Sequence, residues 1–422
     1  MPPLLYKTLR FLERYTKTDM IYLAKGGFWL SAGQVITSLS SFVLAIAFAN
    51  LMPPESYGVY RYVISWVSML AAVTLIGANT ALIQAISRGF EGSFWKIFWI
   101  KTYAGFIGAV ISFSIAGYYY LQGNIILSIS FILVGLLLPT LKASGLYLSL
   151  LYGRKDFKLA AISTSVVRII SAGVMIGTLF FTDNLFIILL AFFIPETILQ
   201  FFYIWHTLRK RPLSKEIDPT TTSYGVHLSI MEILKVAAGQ IDKFIIFHYL
   251  GATQLAIYTF ALATPNQIKS FLQNITSLAL PKMSMADDEV LRTHLPKKIL
   301  RLELLMTAVT ILYILAAPFL YKIFFPQYIA SIAFSQIAAL SLLFLPRTFL
   351  SSALVAKQKQ KELYHIRIWT PMMRIIILCT TGYFWGIWGI LWGKLFGDAI
   401  QLWIYQYFFR RAFKTPPEIS TH

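Results

Sequence analysis

Cysteine is almost missing from this chain: Cys379 is the only one in 422 residues. One thiol excludes an intramolecular disulfide framework and any multi-cysteine metal site. Charge is scarce too, at 13% of residues, while 57% are hydrophobic and the mean hydropathy is +0.66. A soluble protein of this length needs far more polar surface. Acids are the scarcer charge, 18 against 37 Lys and Arg, for a formal net charge of +19. The six His are scattered, and there is no nucleophile elbow and no phosphate-cradling Gly-Lys-Ser/Thr loop. With no soluble domain for nucleotide hydrolysis either, ATP-driven transport by this chain alone is not expected, nor is an enzyme. Met1–Lys25 is basic and polar and the first apolar stretch is long enough to span, so no cleavable signal peptide is expected.

Apolar segments of about 20 residues recur along the whole sequence, the signature of a polytopic helical membrane protein. A β-barrel would show short alternating segments instead. Twelve spans are expected, at about 27–51, 62–86, 102–121, 125–151, 157–181, 185–207, 224–249, 254–280, 300–324, 329–355, 363–384 and 387–409. With the N-terminus cytoplasmic, the cytoplasmic segments collect Lys7 to Lys25, Arg88, Lys96 and Lys101, Arg154 to Lys158, and Arg209 to Lys215. They also collect Lys282 to Arg301, Lys357 to Arg367, and Arg410 to Lys414. The opposite side holds only Arg61 and Lys322. An odd span count would break this positive-inside alternation, so both termini are expected to be cytoplasmic. The same distribution accounts for the net charge without nucleic acid as a partner.

The two halves of the chain echo each other. Trp29–Tyr60 and His227–Tyr258 align without gaps, with Leu30-Ser31 on Leu228-Ser229, Gln34 on Glu232, Thr37 on Lys235 and Tyr60 on Tyr258. Pro139 and Pro346 each precede a basic elbow, GRKDF and KQKEL, followed by VVRII around Arg168 and MMRII around Arg374. Glu196-Thr-Ile-Leu-Gln200 resembles Asp398-Ala-Ile-Gln401. Each half holds an even number of spans, so the repeat is parallel, about an axis along the membrane normal. The expected architecture is all-α, two six-helix lobes at residues 1–208 and 224–422 joined by a polar cytoplasmic linker at 209–223. Spans 1 and 7 open the lobes and are candidates to face their interface.

These segments resemble a known family. The first half carries LMPPESYGVYRYV and LIGANTALIQAISRG. The second carries QIDKFIIFHYLGATQLAIYTFA, SLALPKMS, FFPQYIAS and LVAKQKQKEL. The pattern is similar to Wzx-type oligosaccharide (O-antigen) flippases of the multidrug/oligosaccharidyl-lipid/polysaccharide exporter superfamily. The resemblance implies a MATE-like two-lobed bundle in the cytoplasmic (inner) membrane, working by alternating access. It implies that the cargo is an undecaprenyl-diphosphate-linked oligosaccharide moved towards the periplasmic leaflet for lipopolysaccharide or other surface glycan synthesis. Membrane lipids and glycan polymerase machinery are the further partners implied, with no cofactor.

Charges within spans are costly and tend to face a bundle interior or a wet cavity. Glu232, Lys235 and Asp242 fall within one narrow arc of span 7 if that helix is continuous. The alternative is a local i,i+3 ion pair between Glu232 and Lys235. Glu232 and Asp242 are also the candidates for coupling to H+ or Na+. Span 8 places Pro265, Asn266, Lys269, Gln273 and Ser277 along one side, with no acid within a turn of Lys269. Lys142, Arg168, Arg347 and Arg374 each lie about ten residues from a basic elbow, hence about 15 Å deep at 1.5 Å per residue. A cationic cavity suits a diphosphate head group, and the planar Arg fork suits phosphate oxygens. The alternative for these four is to tie helices together or to bond backbone freed near Pro139 and Pro346. Asp398, four residues after Lys394, is expected to form a local ion pair with it.

Two relatives within the superfamily are weighed against this reading. Multidrug antiporters typically carry a coupling carboxylate in the first helix, and Gly26–Met52 contains no Asp or Glu. Lipid II flippases usually have two further spans. A membrane-embedded polysaccharide polymerase or ligase would be expected to have a long outer loop, and none here exceeds about ten residues by the span edges above.

Overall fold

A computed structural model describes residues 20–285, 287–357 and 359–413; side chains at 20–25, 271–282, 284–285 and 360 fall outside the described set. Lys7 to Lys25, Gln273, Ser277, Lys282 and Lys414, named above, are thereby outside the described side chains. All regular structure among the described residues is helical.

The chain opens with α1, Met20–Leu51. A break at Thr74–Ile76 separates α2, Pro54–Val73, from α3, Gly77–Ser87, and bends the pair by 51°. Next come α4, Ser93–Leu121; α5, Ile125–Ser144; α6, Leu146–Gly153; α7, Phe157–Phe181; and α8, Leu185–Lys210. Starts are set by local chemistry. Pro54 stands where its missing N–H costs nothing. Asn124, Asp156 and Asn184 cap α5, α7 and α8 by accepting from Leu127 N, Leu159 N and Phe186 N.

The second part holds α9, Thr221–Ala238; α10, Ile241–Leu250; α11, Ala252–Met285; and α12, Asp288–Phe324. A short turn leads to α13, Ser331–Ala339, which runs through a 3₁₀ segment, Leu340–Arg347, into α14, Thr348–Ala356. Pro346 lies in that 3₁₀ stretch, whereas its repeat counterpart Pro139 lies inside α5. The last helix, α15, spans Gln360–Ala412 but folds back at Gly386, whose φ of 57° and ψ of −135° are not helical. Its two arms pack so closely that a Cβ at Gly389 would collide with the Thr381 carbonyl, and one at Gly393 with the Thr381 hydroxyl. Small residues four apart give helices in lipid this close approach.

Among the described residues, eight stretches are long and apolar enough to cross a membrane, counting α5 with α6 as one and α13 through α14 as one, and α2 with α3 makes a ninth as a bent pair. The second arm of α15, the α9–α10 pair and α11 bring the passes to twelve. Large apolar side chains such as Val110, Leu136, Leu312 and Trp403 point outwards, as a lipid-facing shell requires. The chain is therefore a multi-pass membrane protein. Helices begin earlier than the apolar runs do: α2 at Pro54, α4 at Ser93 and α12 at Asp288, against the expected 62, 102 and 300.

By packing, the protein forms two compact units, the first ending at Ala256 and the second beginning at Ile257. The first is built on Phe94, Leu146, Leu150, Ala160 and Ile204. In the second, Leu291, Leu295, Leu354 and Phe409 form one core, and Tyr313, Ala317, Ala339 and Leu342 another. By this measure α9 and α10 count with the first unit, although the sequence repeat groups them with the later spans.

Candidate functional site

The second unit gathers charge from two elements. Arg374 comes from the first arm of α15, Lys394 and Asp398 from the second, and Lys269 from α11, one turn after Pro265. The fold-back at Gly386 is what brings the two arms' charges side by side. Arg374 Nη1 stands 3.8 Å from Asp398 Oδ1, too far for a hydrogen bond, and Arg374 Nε is buried without a partner. Lys394 Nζ reaches the Tyr258 hydroxyl at 3.2 Å and lies 5.6 Å from the centre of that ring. Lys269 is within electrostatic range of Asp398, Arg374 and Lys394. Lys269 and Arg374 thus share one carboxylate, with Lys394 within range of Lys269. A half-buried set with excess positive charge and an unsatisfied guanidinium N–H has the chemistry to accept an anion.

The first unit has a matching set in which Lys101 and Glu196 have hydrogen-bond partners. Lys101 Nζ donates to Asn79 Oδ1 at 2.6 Å, and the side chain is buried. Asn79 lies in the first turn of α3, just after the α2–α3 break. Lys101 is therefore not a loop cation: α4 starts at Ser93 and carries it into the bundle. Lys142 lies within electrostatic range of both Lys101 and Glu196. Ser144 Oγ donates to Gln200 Oε1 at 2.7 Å, and Gln200 Nε2 donates to Glu196 Oε1 at 3.1 Å, which holds the carboxylate in place. Arg168 is exposed, and both it and Glu196 lie within electrostatic range of the buried Tyr60. Lys142 thus lies near Glu196, as Lys269 and Arg374 lie near Asp398.

The span 7 residues are arranged differently from a continuous helix. α9 ends at Ala238, and Gly239-Gln240 separates it from α10. The single narrow arc for Glu232, Lys235 and Asp242 is thereby interrupted. Lys235 Nζ meets Glu232 Oε2 at 3.0 Å, the local i,i+3 pair, with the lysine side chain 69% exposed. Asp242 is buried at the start of α10, and its Oδ1 accepts from Lys243 N at 2.9 Å. Arg347, at the end of the 3₁₀ stretch, pairs through Nε with Glu303 of α12. Asp398 was expected to pair with Lys394, and the ion pair found across the hairpin is with Arg374. The fold-back was signalled in the sequence by Gly386, Gly389, Gly393 and Gly397, whereas nothing in the sequence signalled the Lys101–Asn79 contact.

Among known proteins, the family model described as polysaccharide biosynthesis protein matches residues 23–287. No curated protein sequence matches the chain. Several solved structures share the fold. The lipid II flippase MurJ in an inward closed conformation superposes with a TM-score of 0.69 at 14% identity, over 92% of this chain and 88% of that one. An outward-facing multidrug resistance MATE family transporter of the MOP superfamily gives 0.63 at 14% identity, over 93% and 95%. A MOP superfamily transporter from Pyrococcus furiosus, described as having a binding pocket of reverse polarity, gives 0.62 at 16% identity, over 93% and 97%. At these identities the likeness establishes a shared two-lobed transporter fold.

Proposed function

Because the chain belongs to the polysaccharide biosynthesis protein family, we propose that it is a Wzx-type flippase. In this reading it moves an undecaprenyl-diphosphate-linked oligosaccharide from the cytoplasmic to the outer leaflet of the cytoplasmic membrane. The lobes, residues 1–208 and 224–422, alternate in exposing the cargo's head group, while its lipid tail stays in the bilayer. Both termini are cytoplasmic. The cargo serves surface glycan synthesis such as O-antigen, and a glycan polymerase consumes it.

The observation that carries this reading is the cation-rich set Lys269, Arg374 and Lys394 around Asp398. A diphosphate supplies the negative charge this set lacks, and the unsatisfied Arg374 Nε–H is a ready donor to a phosphate oxygen. Lys142, Arg168, Lys235 and Arg347 contribute positive potential along the path. Glu232 and Asp242 are the groups through which H+ or Na+ gradients would couple. Deleting the gene should make lipid-linked oligosaccharide accumulate on the cytoplasmic leaflet and deplete surface glycan. Normal surface glycan in the deletion strain, with no accumulating intermediate, would sink the reading.

A further inference from the structure

The acids of this chain are placed as unevenly as its cations. In the first unit α2, α5 and α8 all start at the end of the bundle away from the basic elbows, at Pro54, Ile125 and Leu185. Among the described residues of this unit, Glu55 and Asp183 are the acids at that end. Glu55 stands in the first turn of α2 and Asp183 in the turn between α7 and α8. Far apart in sequence, both line one cavity of about 680 Å³. That volume is within the range of about 300–1,000 Å³ typical of small-molecule sites. Among the described residues no Lys or Arg lines the cavity, and neither carboxylate has an ion pair or a hydrogen bond.

The rest of the wall is mostly apolar. Ile125, Ile126 and Ile129 of α5 and Phe186 of α8 line it and are exposed, so they continue the lipid-facing shell. Polar groups beside them are already used. Ser130 Oγ donates to the Ile126 carbonyl at 2.7 Å, and Asn184 Oδ1 caps α8 by accepting from Phe186 N. Helix starts account for only one of the two acids. A carboxylate in a first turn is favoured by the helix dipole, which suits Glu55. Asp183 precedes a cap position that Asn184 already fills, so the start of α8 does not require it.

We propose that this cavity binds an aminophospholipid of the leaflet on that side, with its primary ammonium group at Glu55 and Asp183 and its acyl chains along Ile125, Ile126 and Ile129. Complementarity selects the ligand. Two unpaired carboxylates beside an exposed apolar wall match a molecule that is cationic at one end and apolar at the other. In a bilayer the phospholipid ammonium group is that cation, whereas an inorganic cation leaves the apolar wall uncovered. The diphosphate cargo is a poor fit, because it would meet two like charges. The cavity therefore holds a lipid other than the cargo, at a site separate from the Lys269–Arg374 set. Each exposed ammonium–carboxylate contact is worth little, so the preference rests on the two acids together.

The test needs no transport, so its outcome is independent of the flippase reading. The full chain is reconstituted in phosphatidylglycerol vesicles with a trace of phosphatidylethanolamine that carries a photoreactive diazirine in one acyl chain. Crosslinks should concentrate on residues 122–130 and 183–189. A phosphatidylglycerol probe with the same photoreactive chain should label these residues about tenfold less. In Glu55→Gln/Asp183→Asn the two probes should label them within about twofold of each other. Equal labelling by both probes in the parent, or an unchanged preference in the double variant, overturns the proposal. A second measurement uses the parent alone and stands even if the double variant does not fold. At about 1 M salt, where screening reaches about 3 Å, the tenfold preference should shrink to about twofold. A preference that survives this salt is not electrostatic and equally overturns the assignment of Glu55 and Asp183.

Discussion

The two halves of the sequence repeat each carry an ion-pair clasp between the start of their third pass and the elbow after their fourth, and the two clasps differ in kind. In the first unit Arg154 and Glu91 meet through two hydrogen bonds with side chains only 4% and 9% exposed, and Arg211 and Ser214 of the segment after α8 bond to them. In the second, Lys357 and Lys359 approach Asp288 at 3.3 and 3.6 Å, with the carboxylate 50% exposed. Within the spans, Lys101 and Glu196 are held by hydrogen bonds to their own bundle. A buried guanidinium Nε–H has no acceptor in either unit, at Arg61 in the first and at Arg374 in the second. The difference is that Arg374 stands beside Asp398 with Lys269 in range of both, so its unsatisfied N–H belongs to a shared cluster. A cation's degree of satisfaction, more than its presence in a span, separates a binding group from a structural one.

The largest effect that would break this comparison is on stability. Removing one partner of the buried clasp, as in Arg154→Gln, leaves the buried Glu91 with only the exposed Arg211 at 3.6 Å and should cost about 3 kcal/mol. A thermal shift in detergent no larger than that of Lys357→Gln would erase the distinction between the clasps. Next comes transport. Arg374→Ala and Lys269→Ala each remove a charge-assisted contact to phosphate of about 2 kcal/mol, or about thirtyfold. Surface glycan in a flippase-null strain should fall accordingly while membrane levels of the protein hold. Lys101→Met sharpens the contrast from the other side: it keeps the volume, removes a buried cation, and should leave glycan within about threefold of the parent. Exposed pairs are worth less, so Lys357→Gln should cost under about 1 kcal/mol.

The clasps should also separate by pH. Burial pushes the Glu91 carboxyl up, but the Arg154 hydrogen bonds and charge, with Arg211 and Ser214, outweigh it and hold the group below its ordinary value of 4.5. A depressed carboxyl contributes stability that is complete above its unfolded value and is lost as pH falls through the folded one. Asp218, held low by its hydrogen bonds from Thr220, acts in the same direction. Release of the linker, followed by backbone amide exchange at residues 211–220, should therefore begin only below about pH 4.5, whereas added salt at neutral pH should weaken the Asp288 contacts first. Release already at pH 6 would contradict this order.

Much of the fold was legible in the sequence, because twelve apolar runs and basic loops are a direct record of lipid and interface. Helix edges were less so. Lys101 read as a loop residue because its run of neighbours contains Lys96, and only the α2–α3 break reveals the acceptor, Asn79, that lets it be buried. The elbow cations Arg154 and Lys357 were visible, but their acids lie one loop away in space and many residues away in sequence. A helical wheel placed Glu232, Lys235 and Asp242 together by assuming a helix through Gly239-Gln240, where the helix in fact ends. Lys269 and Arg374 were singled out for their depth, yet the group that joins them, Asp398, was assigned to its nearest sequence neighbour. Spacing within a helix ranks local partners and is blind to a hairpin.

The most direct measurement of the central claim is binding of undecaprenyl diphosphate to the purified protein and its Arg374→Ala variant, by native mass spectrometry or quenching of the protein's tryptophan emission. The account predicts that the dissociation constant rises about thirtyfold in the variant and that Lys142→Ala raises it by less. Equal affinities for parent and Arg374→Ala would show that the second unit's cations do not hold the head group.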